Sequence, residues 1–242
     1  MSVILSLDAL VKRFGGLVAT NNFSADIAKG ESLGLIGPNG AGKTTIFSLI
    51  MGDHRLNSGA IRLNGTDISN MPTHQRIQHG IARTYQVPRP FAELTVAENI
   101  RIGLTPDSLI DMIFRAPNPH RELELAEAVG FAAPDLDRLP SELSMGDLRK
   151  LELARTLATG AEVVLLDEVF AGLTVGEIAQ VSALINEKRA EGMTFVIVSH
   201  DLRSLEPLID RAVAMTAGTV IAEGPYPKVI ADEAVRASYL GT

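Results

Sequence analysis

The sequence contains no cysteine. Disulfide bonds, zinc sites made of thiolates and cysteine nucleophiles are therefore excluded. The absence is compatible with the cytosol, where thiols stay reduced, but it does not place the chain there. Any reactive chemistry has to come from other side chains or from the backbone.

Long hydrophobic runs are also missing. Stretches such as residues 163–166 and 195–198 are far shorter than the ~20 residues that a membrane-spanning helix needs. The N-terminal segment, residues 1–10, includes Asp8 and no basic region, so it does not have the pattern of a secretory signal. We therefore expect the chain to be soluble by itself.

Basic residues are also fewer than acidic residues. The chain has 22 Lys and Arg against 29 Asp and Glu, and its formal net charge of −7 disfavours nucleic acid as the main partner. It does not disfavour nucleotides, because a phosphate-binding loop works through local dipoles. With 242 residues, 46% of them hydrophobic, the chain suits one large α/β domain or a core with one inserted subdomain.

Residues 37–45 read Gly-Pro-Asn-Gly-Ala-Gly-Lys-Thr-Thr and fit the phosphate-loop pattern G-x-x-x-x-G-K-S/T. We expect a buried strand at residues 32–36 before the loop and a helix at residues 44–51 after it. The glycines allow several N–H groups to point at one anion, at the positive end of that helix. A loop that merely caps the helix is the simpler alternative, which Lys43-Thr44 at the helix start disfavours.

The loop therefore predicts binding of a nucleoside triphosphate. Lys43 is expected to reach the β- and γ-phosphates, and the Thr44 hydroxyl is expected to bind Mg²⁺. The nucleotide contacts predicted in the loop are Asn39, Gly40, Gly42, Lys43, Thr44 and Thr45.

The rest of the pattern predicts a mixed α/β fold. Strands are expected over residues 3–27, broken at 14–16 and 21–22, and residues 60–68 predict a hairpin with Asn64-Gly65 at its turn. An antiparallel patch would then flank the phosphate loop on both sides.

Between residues 87 and 144, prolines and helical periodicity predict an inserted, mainly helical subdomain. From residue 144 helix and strand alternate, which predicts a parallel sheet with crossover helices. Helices are expected at 95–104, 121–129, near 146–159 and at 175–191, and a short last helix is expected to end near 239–241. Strands are expected at 162–167, 194–199, 212–216 and 219–223.

An apolar strand at residues 163–166 leads into Asp167 and Glu168. Ligands of open α/β sheets gather at the carboxyl ends of strands. We therefore expect Asp167 to hold the Mg²⁺ shell and Glu168 to orient or deprotonate an attacking water. Two carboxylates after a strand are by themselves more often a loop start or a helix cap, and their pairing with a phosphate loop favours the functional interpretation.

Residues 143–150 have two interpretations. Ser144 is placed to cap the following helix, with Asp147 at the third position completing a capping box. Alternatively, the Ser144 hydroxyl, the Gly146 backbone and the helix N-terminus bind the γ-phosphate of a nucleotide held by another subunit. The local sequence does not choose between them.

Three further residues have ordinary structural interpretations when they are taken singly. His200 ends another apolar strand and is usually structural in such a place, although from there it would reach a γ-phosphate and a water. Gln86 is a polar residue where the helical insertion begins. Phe14 fits a core or strand-end aromatic, while adenine stacking on it is chemically reasonable.

Taken in order, these residues resemble the ATP-binding subunit of an ABC transporter over essentially the whole chain. Walker A alone indicates only a P-loop NTPase, whereas a signature motif between Q-loop and Walker B, followed by a switch histidine, is far more specific. The matching positions are residues 37–45 (Walker A), 163–167 (Walker B), Glu168 (catalytic glutamate), 143–147 (signature), Gln86 (Q-loop), His200 (switch), Phe14 (adenine-stacking aromatic) and 171–174 (D-loop).

Several stretches are similar to ATPase subunits of branched-chain amino-acid importers, and related importers of urea or other small polar solutes share them. They are residues 13–17, 83–86, 91–99, 151–155 and 239–241.

The resemblance implies that two such subunits close head to tail around two ATP molecules, each ATP lying between one Walker A loop and the other subunit's signature motif. Ser144 and Gly146 would then contact the partner's nucleotide, which adds to the capping role. Glu168 would polarise water, with Lys43 and His200 on the phosphates, and Gln86 would contact Mg²⁺ and link to membrane subunits. Closure and reopening would be a population shift between two states.

The sequence departs from the family pattern at four positions. The third and fifth signature residues, usually Gly and Gln, are Met145 and Asp147, and an acid at the fifth position is expected to weaken closure near a phosphate. Thr174 replaces the usual D-loop Asp or Asn, which is expected to loosen communication between the two sites. Val169 follows Glu168 where proline is common.

The resemblance therefore implies one ABC ATPase domain with an α/β P-loop fold: a mixed-sheet core with an antiparallel subdomain at 1–86 and 151–242, and a helical subdomain at 87–150. Its expected cofactors are ATP and Mg²⁺. Its expected partners are a second ATPase subunit, identical or paralogous, transmembrane permease subunits, and a solute-binding protein indirectly, at the inner face of the cell membrane.

Other functions stay open at this point. A soluble ABC protein acting on ribosomes or DNA usually has two modules or a long coiled coil, and this sequence has neither. A regulatory module with little hydrolysis is motivated by Asp147 and Thr174. A small-molecule kinase would leave the signature, Gln86 and His200 without an explanation.

Overall fold

The computed structural model of the chain describes residues 2–104 and 118–240. The strands are, in chain order, β1 (Val3–Phe14), β2 (Leu17–Ala28), β3 (Ser32–Ile36), β4 (Ser58–Leu63), β5 (Thr66–Asp67), β6 (Ile81–Arg83), β7 (Val163–Asp167), β8 (Thr194–Val198), β9 (Arg211–Thr216) and β10 (Thr219–Gly224). The α-helices are α1 (Lys43–Met51), α2 (Thr73–Gln78), α3 (Val96–Leu104), α4 (Pro119–Ala128), α5 (Met145–Ala158), α6 (Val175–Ala190), α7 (Leu202–Leu205), α8 (Tyr226–Ala231) and α9 (Glu233–Leu240).

Two sheets form the framework. The first has the order β2-β1-β4-β5 and is antiparallel, and the second has the order β10-β9-β3-β8-β7-β6. Within the second sheet β9 to β6 run parallel, while β10 pairs antiparallel with β9 at one edge. The mixed α/β fold predicted from the sequence is confirmed.

The predicted strand break at residues 21–22 is wrong. β2 continues through Asn21 and Asn22, but the pairing with β1 shifts between Leu10↔Phe23 and Lys12↔Thr20, so that β2 carries one extra residue. Asn22 has φ 57°, a left-handed conformation that asparagine tolerates better than most residues. The pair of asparagines therefore marks a β-bulge inside a strand and not the end of one.

The central strands are apolar along their whole length because both faces of the parallel sheet are covered. In β7, Val163 and Leu165 pack toward α1 and the antiparallel sheet, whereas Val164 and Leu166 pack toward the helices on the other face. β8 alternates in the same way. This two-sided burial fixes the carboxyl ends of β3, β8 and β7 at one edge of the sheet.

Helices α3, α4 and α5 pack together beside this framework, as predicted for the inserted region. Residues 105–117 of the predicted insertion, including Pro117, lie outside the described residues. α5 is continuous from Met145 to Ala158, so the predicted subdomain boundary at residue 150 falls inside a helix. In the parts of the chain that the structure describes, no helix combines the length and apolar character needed to cross a membrane.

Gly103 lets α3 approach α5 closely. A Cβ at this position would lie 2.4 Å from the Arg155 carbonyl oxygen and 2.7 Å from the Ala158 Cβ. We expect Gly103→Ala to destabilise the fold by ~1–3 kcal/mol, the usual cost of overpacking. Thermal unfolding should then occur several degrees lower, at ~2–4 °C per kcal/mol for a chain of this size.

Gly176→Ala is the matched control. Gly176 is also helical, in α6, and a Cβ there would meet no atom of residues 2–104 or 118–240 within 4 Å. Alanine is the better helix former, so this variant should be as stable as the parent or more stable. Equal melting temperatures for Gly103→Ala and the parent would contradict the close helix contact.

Candidate functional site

A cleft of about 550 Å³ lies at the carboxyl ends of β3, β7 and β8. Loops that follow these parallel strands meet at one edge, where α/β sheets bind their ligands. Ten residues predicted for nucleotide, metal or catalytic contacts line this one cleft: Phe14, Asn39, Gly40, Gly42, Lys43, Thr44, Thr45, Gln86, Asp167 and Glu168. Their positions span residues 14–168, so the fold assembles them from distant parts of the chain.

The phosphate loop presents a helix N-terminus without a cap. Within α1, which is described in full, no side chain caps the first turn and no acidic residue lies in it. Gly42 begins the helix at φ 105°, and a Cβ there would lie 2.4 Å from the Ala19 carbonyl oxygen. Gly37 has φ 148°, and its Cβ would be 2.2 Å from the Met215 carbonyl oxygen. The N–H groups and positive dipole end of α1 are therefore available for an anion.

Lys43 places its ammonium group inside this loop. Its Nζ donates to the carbonyl oxygens of Gly37 at 2.7 Å and of Pro38 at 3.0 Å. Burial lowers the pKa of Lys43, whereas the charges of Glu168 and Asp167 oppose that shift. The lysine is thus half-buried between loop carbonyls and two carboxylates, where a bound phosphate would find a cation close to its oxygens.

Glu168 is held in an unusual backbone conformation. It follows β7 directly, has φ 55° and still donates its N–H to the Val198 carbonyl oxygen at 2.9 Å. Its Oε2 accepts from the His200 backbone N–H at 3.3 Å and lies 2.5 Å from His200 Nδ1. A positive φ on glutamate costs of order 1–3 kcal/mol and persists only where the surroundings enforce it. The carboxylate at the cleft is therefore oriented by the backbone and by His200.

Asp167 is fixed through two neighbouring residues at the end of β6. Its N–H donates to Thr84 Oγ1 at 3.0 Å, and its Oδ2 accepts from Arg83 Nη2 at 2.7 Å. Together with the Thr44 hydroxyl and Gln86, Asp167 brings oxygen donors to the same cleft. This donor set fits Mg²⁺, which prefers a hydroxyl, one or two carboxylates and substrate phosphates to an all-protein cage.

Ser144 caps α5, as one of the two interpretations predicted. Its Oγ accepts from the Asp147 N–H at 3.0 Å, and the Asp147 carboxylate accepts from the Ser144 N–H at 3.4 Å. Neither Ser144 nor Gly146 is among the residues that line the cleft of the same chain. Gly146 lies instead beside the D-loop, where a Cβ would be 3.3 Å from the Gly172 carbonyl oxygen.

Sequence reasoning missed Arg149. Its Nη2 donates to the Gln86 carbonyl oxygen at 2.9 Å, and its Nη1 donates to the Glu168 carbonyl oxygen at 3.0 Å. One side chain of α5 therefore joins the backbone at Gln86 to the backbone at Glu168. No local pattern identifies such a link, because its two partners are far from it in sequence.

Tyr239 was noted only as part of a family-like ending, and the structure gives it a contact with the phosphate loop. The Gly37 N–H donates to its hydroxyl oxygen at 2.8 Å. Burial raises the pKa of Tyr239, and Glu168 adds to that shift, while the bond from Gly37 lowers it. Gly37 thus contacts both α9, through Tyr239, and the ammonium group of Lys43.

Glu152 is a buried carboxyl group on α5, which the sequence pattern marked only as part of the family-like stretch 151–155. One of its oxygens accepts from the Tyr85 N–H at 3.0 Å, next to Gln86. Burial raises the pKa of Glu152 from 4.5 to about 7, against the lowering effects of the Tyr85 bond and of Arg155. The group therefore changes its charge within the range of ordinary buffers.

We expect Glu152→Gln to change how stability depends on pH. Between about 4.5 and about 7 the folded chain holds this proton more tightly than the unfolded chain, so the free energy of unfolding falls as pH rises. Glutamine keeps an acceptor for Tyr85 without the charge. The melting temperature of the variant relative to the parent should therefore be several degrees higher at pH 8 than at pH 5.

Glu127→Gln removes an exposed glutamate from α4 and serves as the control, with no comparable pH trend expected. Differential scanning fluorimetry across the pH range is sufficient. A difference between Glu152→Gln and the parent that stays constant with pH would overturn the assignment.

Comparison with known proteins agrees with this geometry. The family model described as ABC transporter matches residues 20–171. A "Probable ABC transporter ATP-binding protein" of Azorhizobium caulinodans is 36% identical over 240 residues, covering 98% of this chain and 83% of the relative. The high-affinity branched-chain amino acid transport ATP-binding protein LivG of Escherichia coli K12 is 34% identical over 251 residues, covering 98% of each chain.

A solved structure, that of a nucleotide-free ATP-binding cassette from an ABC transporter, superposes with a TM-score of 0.88 at 30% identity. The similarity covers 100% of both chains. The cleft described above therefore lies in a fold that is shared from end to end, and the chain belongs to the ABC transporter family as an ATP-binding, ATP-hydrolysing subunit of a transporter.

Proposed function

We propose that this ATPase subunit powers an importer of branched-chain amino acids, by closing head to tail with a second ATPase subunit around two Mg²⁺-ATP molecules. The observation that carries the proposal is the cleft itself, in which an uncapped helix N-terminus and Lys43 lie together with Asp167 and Glu168. The solute is proposed from the 34% identity to LivG, which extends over 98% of both chains.

Each residue of the cleft has a distinct task in this proposal. Mg²⁺, held through Thr44, Asp167 and Gln86, would neutralise phosphate charge. The N–H groups of α1 and Lys43 bind the β- and γ-phosphates, with Lys43 exchanging its loop carbonyls for phosphate oxygens. Phe14, 42% exposed and in contact with the His54 ring, offers a face to adenine.

Glu168 and His200 act in the hydrolysis of the γ-phosphate. The Glu168 carboxylate would orient a water molecule toward the γ-phosphorus and accept its proton as the water oxygen bonds to that phosphorus. The bond between the γ-phosphorus and the β–γ bridging oxygen would break at the same time, which gives inorganic phosphate and ADP as the leaving group. His200 holds that carboxylate through Nδ1, which leaves Nε2 for the γ-phosphate. The enforced φ of Glu168 means that little reorientation of this group is needed during the reaction.

A second subunit would complete each site. Ser144 and Gly146 sit at the N-terminus of α5, away from the cleft of their own chain, so they suit a nucleotide presented by a partner. Met145 and Val175, at the starts of α5 and α6, are 56% and 85% exposed. Exposed apolar side chains beside two helix N-termini favour a protein–protein contact there.

The unusual Asp147 is compensated by Lys150. Lys150 Nζ lies 2.6 Å from Asp147 Oδ1 and 3.0 Å from Glu177 Oε1, and Glu177 in turn accepts from the Thr174 N–H at 2.8 Å. Burial raises the pKa of Asp147, but hydrogen bonds from Lys150 and Ser144 together with the charge of Lys150 lower it below its usual value. The ammonium group therefore offsets part of the negative charge of Asp147 and joins the caps of α5 and α6.

The subunit would act at the cytoplasmic face of the membrane. Its direct partners would be transmembrane permease subunits, with a solute-binding protein as an indirect partner. Gln86 suits the link between nucleotide and permease, because it lines the cleft and its carbonyl oxygen accepts a hydrogen bond from Arg149 of α5.

Glu168→Gln tests the function. Removal of the general base should lower ATP hydrolysis by ~10²–10⁴-fold while ATP binding is kept. In cells that lack the chromosomal copy, the wild-type chain should restore uptake of labelled leucine, isoleucine and valine, and Glu168→Gln should not.

Glu187→Gln, which changes a side chain that is 63% exposed, is the control and should behave as wild type. Undiminished turnover in Glu168→Gln would contradict the role of this carboxylate. Normal branched-chain uptake in the deletion strain would contradict the solute and leave the ATPase role standing.

The pairing mechanism is tested in the Glu168→Gln background by sedimentation with Mg-ATP. Lys150→Met should weaken ATP-dependent pairing by roughly tenfold, the equivalent of about 1.4 kcal/mol, because Asp147 then faces the partner's phosphate unneutralised. Adding Asp147→Asn should restore most of the loss.

Lys188→Met, which removes a lysine paired with Glu187 and Glu191 on α6, should leave pairing unchanged. Pairing that stays weak in the double variant would assign the effect of Lys150 to packing and would contradict charge compensation.

A further inference from the structure

Arg83 is the charged partner of the metal-binding carboxylate. It is the last residue of β6, its side chain is 4% exposed, and Asp167 is 2% exposed. Arg83 Nη2 donates to Asp167 Oδ2 at 2.7 Å. On the other side of the guanidinium, Nη1 donates to Ser48 Oγ at 3.2 Å and to Asp53 Oδ2 at 3.4 Å. The side chain therefore spans from α1 and the turn after it to the end of β7.

Two aromatic rings restrict the guanidinium further. Its Cζ lies 5.5 Å from the centroid of Phe47 and 5.1 Å from that of Tyr85. Arg83 Nε is buried and has no hydrogen-bond partner among the residues that the structure describes. A buried N–H without a partner is costly, so the placement of this arginine satisfies Asp167 at the expense of its own hydrogen bonding.

Arg76 shows what a purely structural buried arginine looks like in the same chain. It is 2% exposed, and within the described residues its guanidinium donates only to backbone carbonyls, those of Leu49, Ile50, Ser69 and Met71. Arg76 thus holds α1 and the following loops together without touching a residue of the cleft lining. Arg83 differs because its shortest bond goes to a carboxylate at the cleft.

We propose that Arg83 is a positioning residue of the nucleotide site, which occupies Oδ2 of Asp167 and thereby leaves Oδ1 as the oxygen offered to the hydration shell of Mg²⁺. Thr84 holds the Asp167 main chain and Arg83 holds its side chain, so two adjacent residues fix the whole aspartate. Because Tyr85 and Gln86 follow Thr84 directly, one segment, residues 83–86, positions Asp167 and also contains the Q-loop glutamine. The inference rests on the proposed Mg²⁺-ATP site.

Outer-shell groups that orient a metal-binding side chain are typically worth ~10–100-fold in metal affinity. Arg83 and Asp167 are also buried together, so a substitution that removes the guanidinium leaves the Asp167 carboxylate without a charged partner. Lysine replaces the planar fork with a point charge that cannot hold Asp167, Asp53 and Ser48 at once. Substitution should therefore act on the metal more than on the nucleotide.

The test measures ATP affinity at increasing Mg²⁺ in the Glu168→Gln background, where turnover does not interfere. ATP binding in EDTA is the internal reference. For Arg83→Met, the Mg²⁺ concentration that gives half of the metal-dependent gain in ATP affinity should rise by ~10–100-fold. For Arg83→Lys the rise should be smaller, and ATP affinity in EDTA should stay within about threefold of the reference in both.

Arg76→Met and Arg76→Lys are the matched controls, because they remove a buried arginine that does not touch the cleft. Both should leave the Mg²⁺ midpoint unchanged even where they lower the melting temperature. If Arg83→Met does not fold, Arg83→Lys decides. An Mg²⁺ midpoint in Arg83→Lys within twofold of the reference, or an equal shift in Arg76→Lys, overturns the inference.

The outcome is separable from the proposed function. If the Glu168→Gln reference itself binds no ATP, or gains no affinity from Mg²⁺, the proposed Mg²⁺-ATP site is wrong. If the reference responds to Mg²⁺ and the Arg83 variants respond identically, only the positioning role is wrong.

Discussion

The first turn of α1 is left without a cap, and the rest of the cleft is arranged around that feature. A helix start normally receives an acceptor from Ser, Thr, Asp or Asn, as α5 and α6 do from Ser144 and Thr174. α1 begins at Gly42 instead, and its N–H groups face a cleft that contains Lys43. A helix N-terminus without a side-chain acceptor leaves its N–H groups available for an anion. The carboxylates of Asp167 and Glu168 enter the same cleft from the end of β7, and each is restrained by its own set of hydrogen bonds.

Much of this was predictable because the signals are local. The phosphate loop, the strand ends at Asp167 and His200, and the cap at Ser144 are each encoded within a few residues. The strands of the antiparallel sheet and most strands of the second sheet followed from sequence patterns, as did α1, α3, α4, α5 and α6. β6 and the short helices α2, α7 and α8 were not predicted. The bulge at Asn22 did not, because an asparagine pair reads equally as a turn. The positive φ of Glu168 depends on the β8 backbone, which no local pattern reveals.

The links between motifs were beyond sequence reasoning. Arg149 joins Gln86 to Glu168, and Tyr239 reaches Gly37 from the far end of the described chain. Each contact depends on tertiary packing and has no spacing rule. The interpretation of Asp147 as a defect also came from considering one motif at a time. In the structure the Asp147 carboxylate forms a network with Lys150 and Glu177. The unusual acid of the signature motif is therefore paired with Lys150, a residue outside that motif.

The strand that leads into the phosphate loop also constrains how the protein is made. β3, at residues 32–36, pairs with β8 and β9, at residues 194–198 and 211–216. On the ribosome, the nascent chain therefore carries an apolar strand without its neighbours until most of the sequence has emerged. Such late, non-local pairing slows folding and exposes hydrophobic surface to chaperones and to other nascent chains. Because the cleft also needs Asp167 and Glu168, which come long after the phosphate loop in the sequence, we expect a nucleotide to stabilise the finished domain and not its early fragments.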